Sequence, residues 1–286
     1  MINDKHKNFL YLADTLSKKQ PQFCKRFTKI LEENCVPLAL IPGTKDIWCR
    51  DYMPMQNVLG KLICFEYSPD YLMDAPHLRT DNQKVSDAMG LNYYVNYVNL
   101  DGGNVIHYNN TVIMCDKVLK ENAWKYDKKE VLLRLRNSFR ANRIIFIPTA
   151  PDDLFGHADG VVRFVKSNLV LINKYRKEDK AYKLKLTQSL DKARIKYIEV
   201  PYNPYGNKTN LDATGIYLNY LQMKGIIFVP VFGLKEDKKA LTIIKSVFPK
   251  EKVVPVPSNE IAKQGGVLNC ISWNIKSNEN IRNIKN

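Results

Sequence analysis

The 286-residue chain has no apolar run longer than a strand. Val36–Pro42 and Ile226–Val231 are typical of its longest, far short of the roughly 20 residues that a membrane-crossing helix needs. Met1-Ile-Asn-Asp-Lys-His-Lys is not followed by an apolar stretch of signal-peptide length, so a cytoplasmic protein with no membrane partner is expected. Six cysteines (Cys24, Cys35, Cys49, Cys64, Cys115, Cys270) lack C-x-x-C spacing, which argues against both a zinc module and a disulfide framework. Histidine is scarce, at four. A metal site built on His157-x-Asp159 would need two further ligands, and His6, His77 and His107 have no spacing that supplies them. No metal and no cofactor is therefore expected. Acidic residues are also short: 29 Asp and Glu against 44 Lys and Arg leave a net charge of +15. Hydrophobic residues at 45% and charged residues at 26% are otherwise those of a globular chain, large enough to bury a core without covalent staples.

The positive balance prompts a nucleic-acid reading. Its basic residues, however, fall on helical stretches and turns (Lys117–Lys129, Arg134–Arg143, Lys166–Lys185, Lys235–Lys252) and alternate with Asp and Glu. That pattern reads as the solvated outer faces of successive helices, and no DNA- or RNA-binding signature accompanies it. Nucleic-acid binding stays as a remote alternative.

What is present is a repeat. An amphipathic helical stretch followed by a strand-like run occurs five times: Phe23–Cys35 then Val36–Pro42, Asn82–Met89 then Tyr93–Leu100, Lys128–Arg140 then Arg143–Pro148, Lys180–Ala193 then Ile195–Val200, Leu234–Phe248 then Val253–Val256. After four of the strands comes a glycine-containing segment with hairpin character, turning at Asn109-Asn110, at 166–168 and at Lys224-Gly225. Gly265-Gly266-Val-Leu-Asn-Cys-Ile-Ser-Trp reads as the first arm of a last hairpin. Asp51, Asp101, Asp159, Gly215 and Gly266 mark equivalent points, at intervals of 50, 58, 56 and 51 residues. Five such units closed into a ring would bring all the hairpin entrances to one axis, where function should sit.

Those entrances carry Trp48-Cys49-Arg50-Asp51, Asp101-Gly102-Gly103-Asn104, Gly156-His157-Ala158-Asp159-Gly160, Asn219 within a strand, and Asn269-Cys270. Taken singly, Cys270 reads as a buried thiol, His157 as a structural histidine, and Asp51 and Asp101 as turn or cap residues. Together, in register with the repeat, they read as a site. Surrounding carboxylates would oppose the oxyanion of an acyl-transfer protease. They suit a cationic electrophile, clamping a planar guanidinium while a thiol attacks its central carbon. The same carboxylates raise the thiol pKa until a bound guanidinium offsets them. A histidine then protonates departing ammonia and deprotonates water.

At these residues the chain resembles the agmatine deiminase and bacterial (Porphyromonas-type) peptidylarginine deiminase branch of the guanidino-group-modifying, or pentein, superfamily. The matching segments are Trp48-Cys-Arg-Asp51-Tyr-Met-Pro54, Leu100-Asp-Gly-Gly-Asn104, Gly156-His-Ala-Asp-Gly-Val-Val-Arg-Phe164, Tyr217-Leu-Asn-Tyr with Val229-Pro-Val-Phe-Gly233, and Gly265-Gly-Val-Leu-Asn-Cys270. They cover residues 36–273 in family order. The resemblance implies an α/β fold, a five-bladed propeller of ββαβ units. It also implies Cys270 as nucleophile, His157 as general acid and base, and Asp51 and Asp159 as guanidinium-binding carboxylates. Trp48 would wall the channel, and Asp101, Asn104 and Asn219 would line the substrate site. Asn269 stands where agmatine deiminases usually carry histidine. Their proline- and tryptophan-bearing N-terminal motif is absent, with the helical-looking Phe9–Gln22 in its place.

The expected protein is one catalytic domain over residues 1–276, with a helical N-terminal extension (1–22) and a polar tail (277–286). Its expected reaction is hydrolysis of a guanidino substrate to a ureido product and ammonia. Agmatine leads as substrate, with the arginine side chain of a protein as the alternative. Amidinotransfer, and a scaffold without catalysis, are the remaining readings.

Overall fold

A computed structural model describes residues 1–151 and 153–277; the expected polar tail lies almost wholly outside the described residues. The chain opens with β1 (Phe9–Ala13) and, after helix α1 (Pro21–Glu33), β2 (Leu38–Ile41). Four similar units follow. The first is β3 (Met55–Gln56), β4 (Leu62–Glu66), α2 (Asn82–Ala88) and β5 (Tyr93–Asn99). The second is β6 (Ile106–Tyr108), β7 (Thr111–Cys115), α3 (Lys128–Phe139) and β8 (Arg143–Ile147). The third is β9 (Val162–Lys166), β10 (Leu169–Asn173), α4 (Lys180–Lys192) and β11 (Lys196–Val200). The fourth is β12 (Leu221–Met223), β13 (Ile226–Val231), α5 (Asp237–Val247) and β14 (Lys252–Pro257). A last strand, β15 (Ser272–Ile275), closes the described chain.

These strands form five three-stranded sheets, each with one antiparallel pair and one parallel pair. Each helix supplies the crossover that a parallel pair requires. The middle strands β7, β10 and β13 are almost wholly buried, which is why Thr111-Val-Ile-Met, Leu169-Val-Leu-Ile and Ile226–Val231 read as continuous apolar runs rather than alternating ones. The helices turn an apolar stripe inward at i, i+4 spacing: Phe23, Phe27 and Leu31 in α1, and Val131, Leu135 and Phe139 in α3. Asp127 caps α3 by accepting from the Glu130 amide at 2.8 Å. Phe139 meets Phe65 of β4, and Phe27 meets Phe228 of β13 edge-on, so each of these helices wedges between its own sheet and the preceding one. Burial of a phenylalanine in such a wedge is worth about 2–3 kcal/mol.

The first sheet joins the two ends of the described chain. β1 lies between β15, antiparallel (Leu10↔Asn274, Leu12↔Ser272), and β2, parallel (Leu10↔Leu38). The second arm of the last hairpin is therefore supplied from the N-terminal side. This corrects the helical reading of 9–22: only Leu16–Lys19 is helical between β1 and α1. Phe-Leu-Tyr-Leu-Ala has helix-compatible residues, but it is buried nearly throughout between two strands distant in sequence, and tertiary pairing overrides local preference. Asn219 is also corrected. It precedes β12 instead of lying within a strand. No helix among the described residues is long and apolar enough to cross a membrane.

Candidate active site

The inner strands of all five sheets begin at one end of the ring, and the residues just before them converge there. Cys270 sits ahead of β15, 8% exposed. Asn219 donates from Nδ2 to its Sγ at 3.1 Å, and Asp159 Oδ2 lies 3.6 Å from the sulfur. Asn219 also fixes the segment that carries Cys270, accepting at Oδ1 from the amides of Asn269 (3.1 Å) and Cys270 (3.4 Å). Burial pushes the Cys270 thiol well up, and the charges of Asp159 and Asp51 push it further, against the Asn219 hydrogen bond.

His157 is held from both ring nitrogens. Nε2 is 3.0 Å from Asp101 Oδ2, and Nδ1 is 3.6 Å from Asp51 Oδ1. Burial opposes the charged imidazole, but Asp51, Asp101 and Asp159 outweigh it and raise the pKa to about 10. The flanking carboxylates thus favour the charged, doubly protonated ring. Tyr71 and Phe155 pack around it with centroids 6.0 and 5.8 Å away, so the cation also faces aromatic surface. Burial pushes Asp51 up, with Asp101 and Asp159 adding to the effect and His157 opposing it. The Gly103 amide donates to Asp51 Oδ1 at 2.9 Å. A Cβ at Gly103 would stand 2.6 Å from His157 Nδ1 and 2.7 Å from Asp51 Oδ1, so only glycine permits this approach.

Thus the fold brings together Cys270, His157, Asp51, Asp159, Asp101 and Asn219. Two expected residues sit differently. Asn104 turns to the Cys115 backbone, accepting from its amide at 2.7 Å and donating to its carbonyl at 3.3 Å. It closes the approach to β6, with its amide spent on the Cys115 backbone. Trp48, like Asp51 and Asp101, is set back from the cavity wall; it packs behind Gly266, where an added Cβ would lie 2.9 Å from the indole and 3.0 Å from Cys270 Sγ.

Three contributors had no assigned role in the sequence reading. Asn269 donates to Asp159 Oδ2 at 2.7 Å, orienting the carboxylate beside the thiol. Arg50 buttresses the Asn269–Cys270 segment from beneath: its amide donates to the Cys270 carbonyl at 3.0 Å, and its Nε donates to the Asn269 carbonyl at 3.2 Å. Lys117 was read as part of a solvated helix face; it is 9% exposed instead. Its ammonium pairs with Asp70 at 2.6 Å and donates to the Leu154 and Phe155 carbonyls at 3.0 Å each, tying down the loop that presents His157. The Asn and Arg positions lie inside the Trp48–Asp51 and Gly265–Cys270 segments, so adjacency was a usable signal. A lysine opening a short helix carries none.

The cavity in front of Cys270 holds about 360 Å³, within the range of small-molecule sites. Among the described residues it is lined by four carboxylates (Asp153, Asp159, Asp179, Asp212), His157 and Arg176. Such a site favours a cationic ligand and disfavours a free thiolate until one is bound. A model of the Porphyromonas-type peptidyl-arginine deiminase family matches residues 2–275. The chain belongs to that family. It is 27% identical to the agmatine deiminase of Pseudomonas aeruginosa over 172 residues, half of this chain (50%) and 47% of that one. Against a provisionally named agmatine deiminase of Latilactobacillus sakei it is 24% identical over 226 residues, covering 68% of this chain and 62% of the relative's length. The chain thus spans about half to three fifths of these two relatives. Two solved folds resemble it. The C. jejuni agmatine deiminase with substrate bound superposes with a TM-score of 0.79 at 18% identity, covering 97% of this chain and 96% of that one. The dimethylarginine dimethylaminohydrolase (DDAH) of Pseudomonas aeruginosa gives 0.58 at 10% identity, covering 94% and 99%. The family's five-sheet pentein architecture is therefore the fold of this chain.

Proposed function

We propose that this protein is a deiminase that hydrolyses the guanidino group of agmatine to N-carbamoylputrescine and ammonia. The observation that carries the reading is the placement of a buried thiol 3.6 Å from one carboxylate, in one cavity with an imidazole ring held between two others. In this reading Asp159 and Asp51 accept hydrogen bonds from the guanidinium and hold its central carbon over Cys270 Sγ. The incoming positive charge offsets the carboxylates that keep the thiol protonated, so substrate binding and thiolate formation are coupled. The thiol releases its proton to solvent as the guanidinium binds, the thiolate adds to the carbon, and His157 gives a proton to the departing nitrogen, which leaves as ammonia. The now neutral His157 takes a proton from water as it adds to the amidino-thioether. Collapse breaks the C–S bond and forms the ureido C=O, with the proton of the added hydroxyl passing to the departing sulfur, which regenerates the Cys270 thiol and frees the product.

Agmatine is preferred over free arginine because of Arg176. It is the one cation besides His157 on the described cavity wall, yet it is already stacked on Tyr205 (3.9 Å to the centroid) and faces Glu178 at 3.4 Å. A substrate carboxylate would have to displace those partners, whereas a second ammonium meets a wall rich in carboxylates. The second reading, an arginine side chain in a protein, draws support from the family description and from the net charge of +15, which favours an acidic macromolecular partner. Ammonia and ureido product are to be measured across agmatine, free arginine, blocked arginine, arginyl peptides and protein. Mass spectrometry of enzyme quenched during turnover should show an amidino adduct on Cys270. Full ammonia release by Cys270→Ser would refute the mechanism, and turnover confined to protein substrates would exchange the two readings.

A further inference from the structure

At the far ends of the same inner strands lies a second, larger cavity of about 530 Å³. Gly160 and Val161, just ahead of β9, line the first cavity, and β9 residues 163–166 wall the second. β15 follows Cys270 in the first and carries Trp273 and Asn274 into the second. The Asn269–Cys270 peptide is the partition between them. Among the described residues the second cavity is lined by six cationic side chains and two carboxylates. Its deepest cations are Lys7 and Arg163, 5% and 2% exposed, with the half-buried Arg50 beside them.

Asp4 is the carboxylate that serves this group. Its Oδ1 lies 2.8 Å from Lys7 Nζ and its Oδ2 3.3 Å from Arg163. Arg163 otherwise donates to the Tyr220 carbonyl at 2.9 Å and covers the Tyr220 ring at 4.3 Å. Arg50 Nη2 donates to Asn274 Oδ1 at 2.9 Å, and its Nε to the Asn269 carbonyl; both acceptors are neutral. Three cations thus share one carboxylate. Two of them are guanidinium groups, which do not relieve the excess by losing a proton. Burial lowers the Lys7 pKa, Asp4 opposes that, and Arg50 and Arg163 lower it further. His107 on the same wall is held neutral by burial and by Lys7, and its Nδ1 is buried without a hydrogen-bond partner. Excess positive charge in a confined cavity is costly, and an anion placed there recovers that cost.

We propose that this second cavity binds a small multivalent oxyanion, phosphate or a compact polycarboxylate, held by Lys7, Arg163 and Arg50, with Asp4 competing for the same cations. Nothing in this proposal depends on which guanidino compound the other cavity takes, since binding is read on the intact chain without turnover. Titration calorimetry and thermal unfolding are to be run with inorganic phosphate and with citrate, against sodium chloride at matched ionic strength. A saturable heat and a rise in Tm are expected with phosphate or citrate and not with chloride; the stronger of the two names the source. Lys7→Met should weaken the apparent Kd by at least about tenfold, as loss of a charged hydrogen bond does. Asp4→Asn should tighten it several-fold, a result that a purely structural Asp4 would not give. Lys185→Met, on an exposed helix face, should leave it unchanged. If Lys7→Met does not fold, the double variant Lys166→Met/Lys250→Met at the exposed rim should still weaken binding by about two- to fivefold. Equal stabilisation by chloride, undiminished binding in both cation variants, or weaker binding in Asp4→Asn would overturn the proposal.

Discussion

The two cavities share their inner strands and carry opposite charge. In front of Cys270, four carboxylates face a single arginine that is already paired; beyond the Asn269–Cys270 peptide, six cations face two carboxylates. A net charge of +15 conceals this division. Net charge is a sum, whereas a ligand responds to the local potential, and low-dielectric walls sharpen the contrast over one peptide's thickness. The excess of lysine and arginine is thus not only a solvated coat, because part of it is internal and set against a carboxylate-rich mouth. Under the proposed mechanism the two ends must stay apart, since a cation reaching Cys270 would compete with a guanidinium for Asp159 and Asp51.

The largest way to break the comparison is to remove what the acidic end serves. Cys270→Ser should lower ammonia release by at least about a thousandfold, and no adduct should appear by mass spectrometry. Anion binding at the other cavity should persist in that variant, because no contact of the basic cluster passes through the sulfur. His157→Gln comes next, with turnover falling by about 10²–10⁴. It also carries a stability signature. The folded pKa is raised from the ordinary 6.5 to about 10 by the flanking carboxylates. The charged ring therefore adds stability that is fully present below about pH 6.5 and is lost as pH rises toward 10. Urea unfolding of wild type and His157→Gln should differ most near pH 6 and converge near pH 10. A gap that widens with pH would contradict the imidazolium assignment.

How much of this was readable beforehand divides along the same line. The acidic end was legible residue by residue. Cys270, His157, Asp51 and Asp159 stand at fixed positions in a repeat, and each is a residue type with few other reasons to recur there. Asn104 and Trp48 share those motifs, but their partners are backbone and core, and sequence does not distinguish an amide aimed at substrate from one that closes a turn. The basic end was less legible. Arg50 and Arg163 stand inside the matching segments without an assigned role, and nothing local separates Lys7 in a cavity from a lysine in water. The strand at Phe9–Ala13 was hidden for a related reason: its partners β15 and β2 lie up to the whole chain length away. Residues whose role is local chemistry show in the sequence, whereas residues whose role is set by distant packing show only in the fold.

Asp159→Asn sharpens the contrast with two readouts of opposite sign. Removing the carboxylate proposed to clamp the guanidinium should lower kcat/KM by about 10–10², corresponding to loss of a charged hydrogen bond to substrate. Removing a negative charge 3.6 Å from Sγ should at the same time lower the thiol pKa, so iodoacetamide should alkylate Cys270 several-fold faster at pH 8. A variant that was merely misfolded would lose turnover without that pattern. Its alkylation would become indiscriminate across Cys49, Cys64 and Cys115, which are buried in the native fold.

The smallest expected effect tests the partition itself. Arg50→Lys keeps the charge of the basic end but gives up the planar fork that spans the Asn269 carbonyl and Asn274 Oδ1, at 3.2 and 2.9 Å. The Arg50 amide still donates to the Cys270 carbonyl, so the Asn269–Cys270 segment stays anchored at one point of two. Loss of one such bond is worth about 1 kcal/mol, which predicts a fall of about fivefold in kcat. KM for agmatine should be unchanged, because Arg50 does not line the cavity that receives it. Steady-state kinetics separate the two parameters. A raised KM with unaltered kcat would mean that the lower side chain reaches the substrate, and the peptide between the cavities would then be no partition.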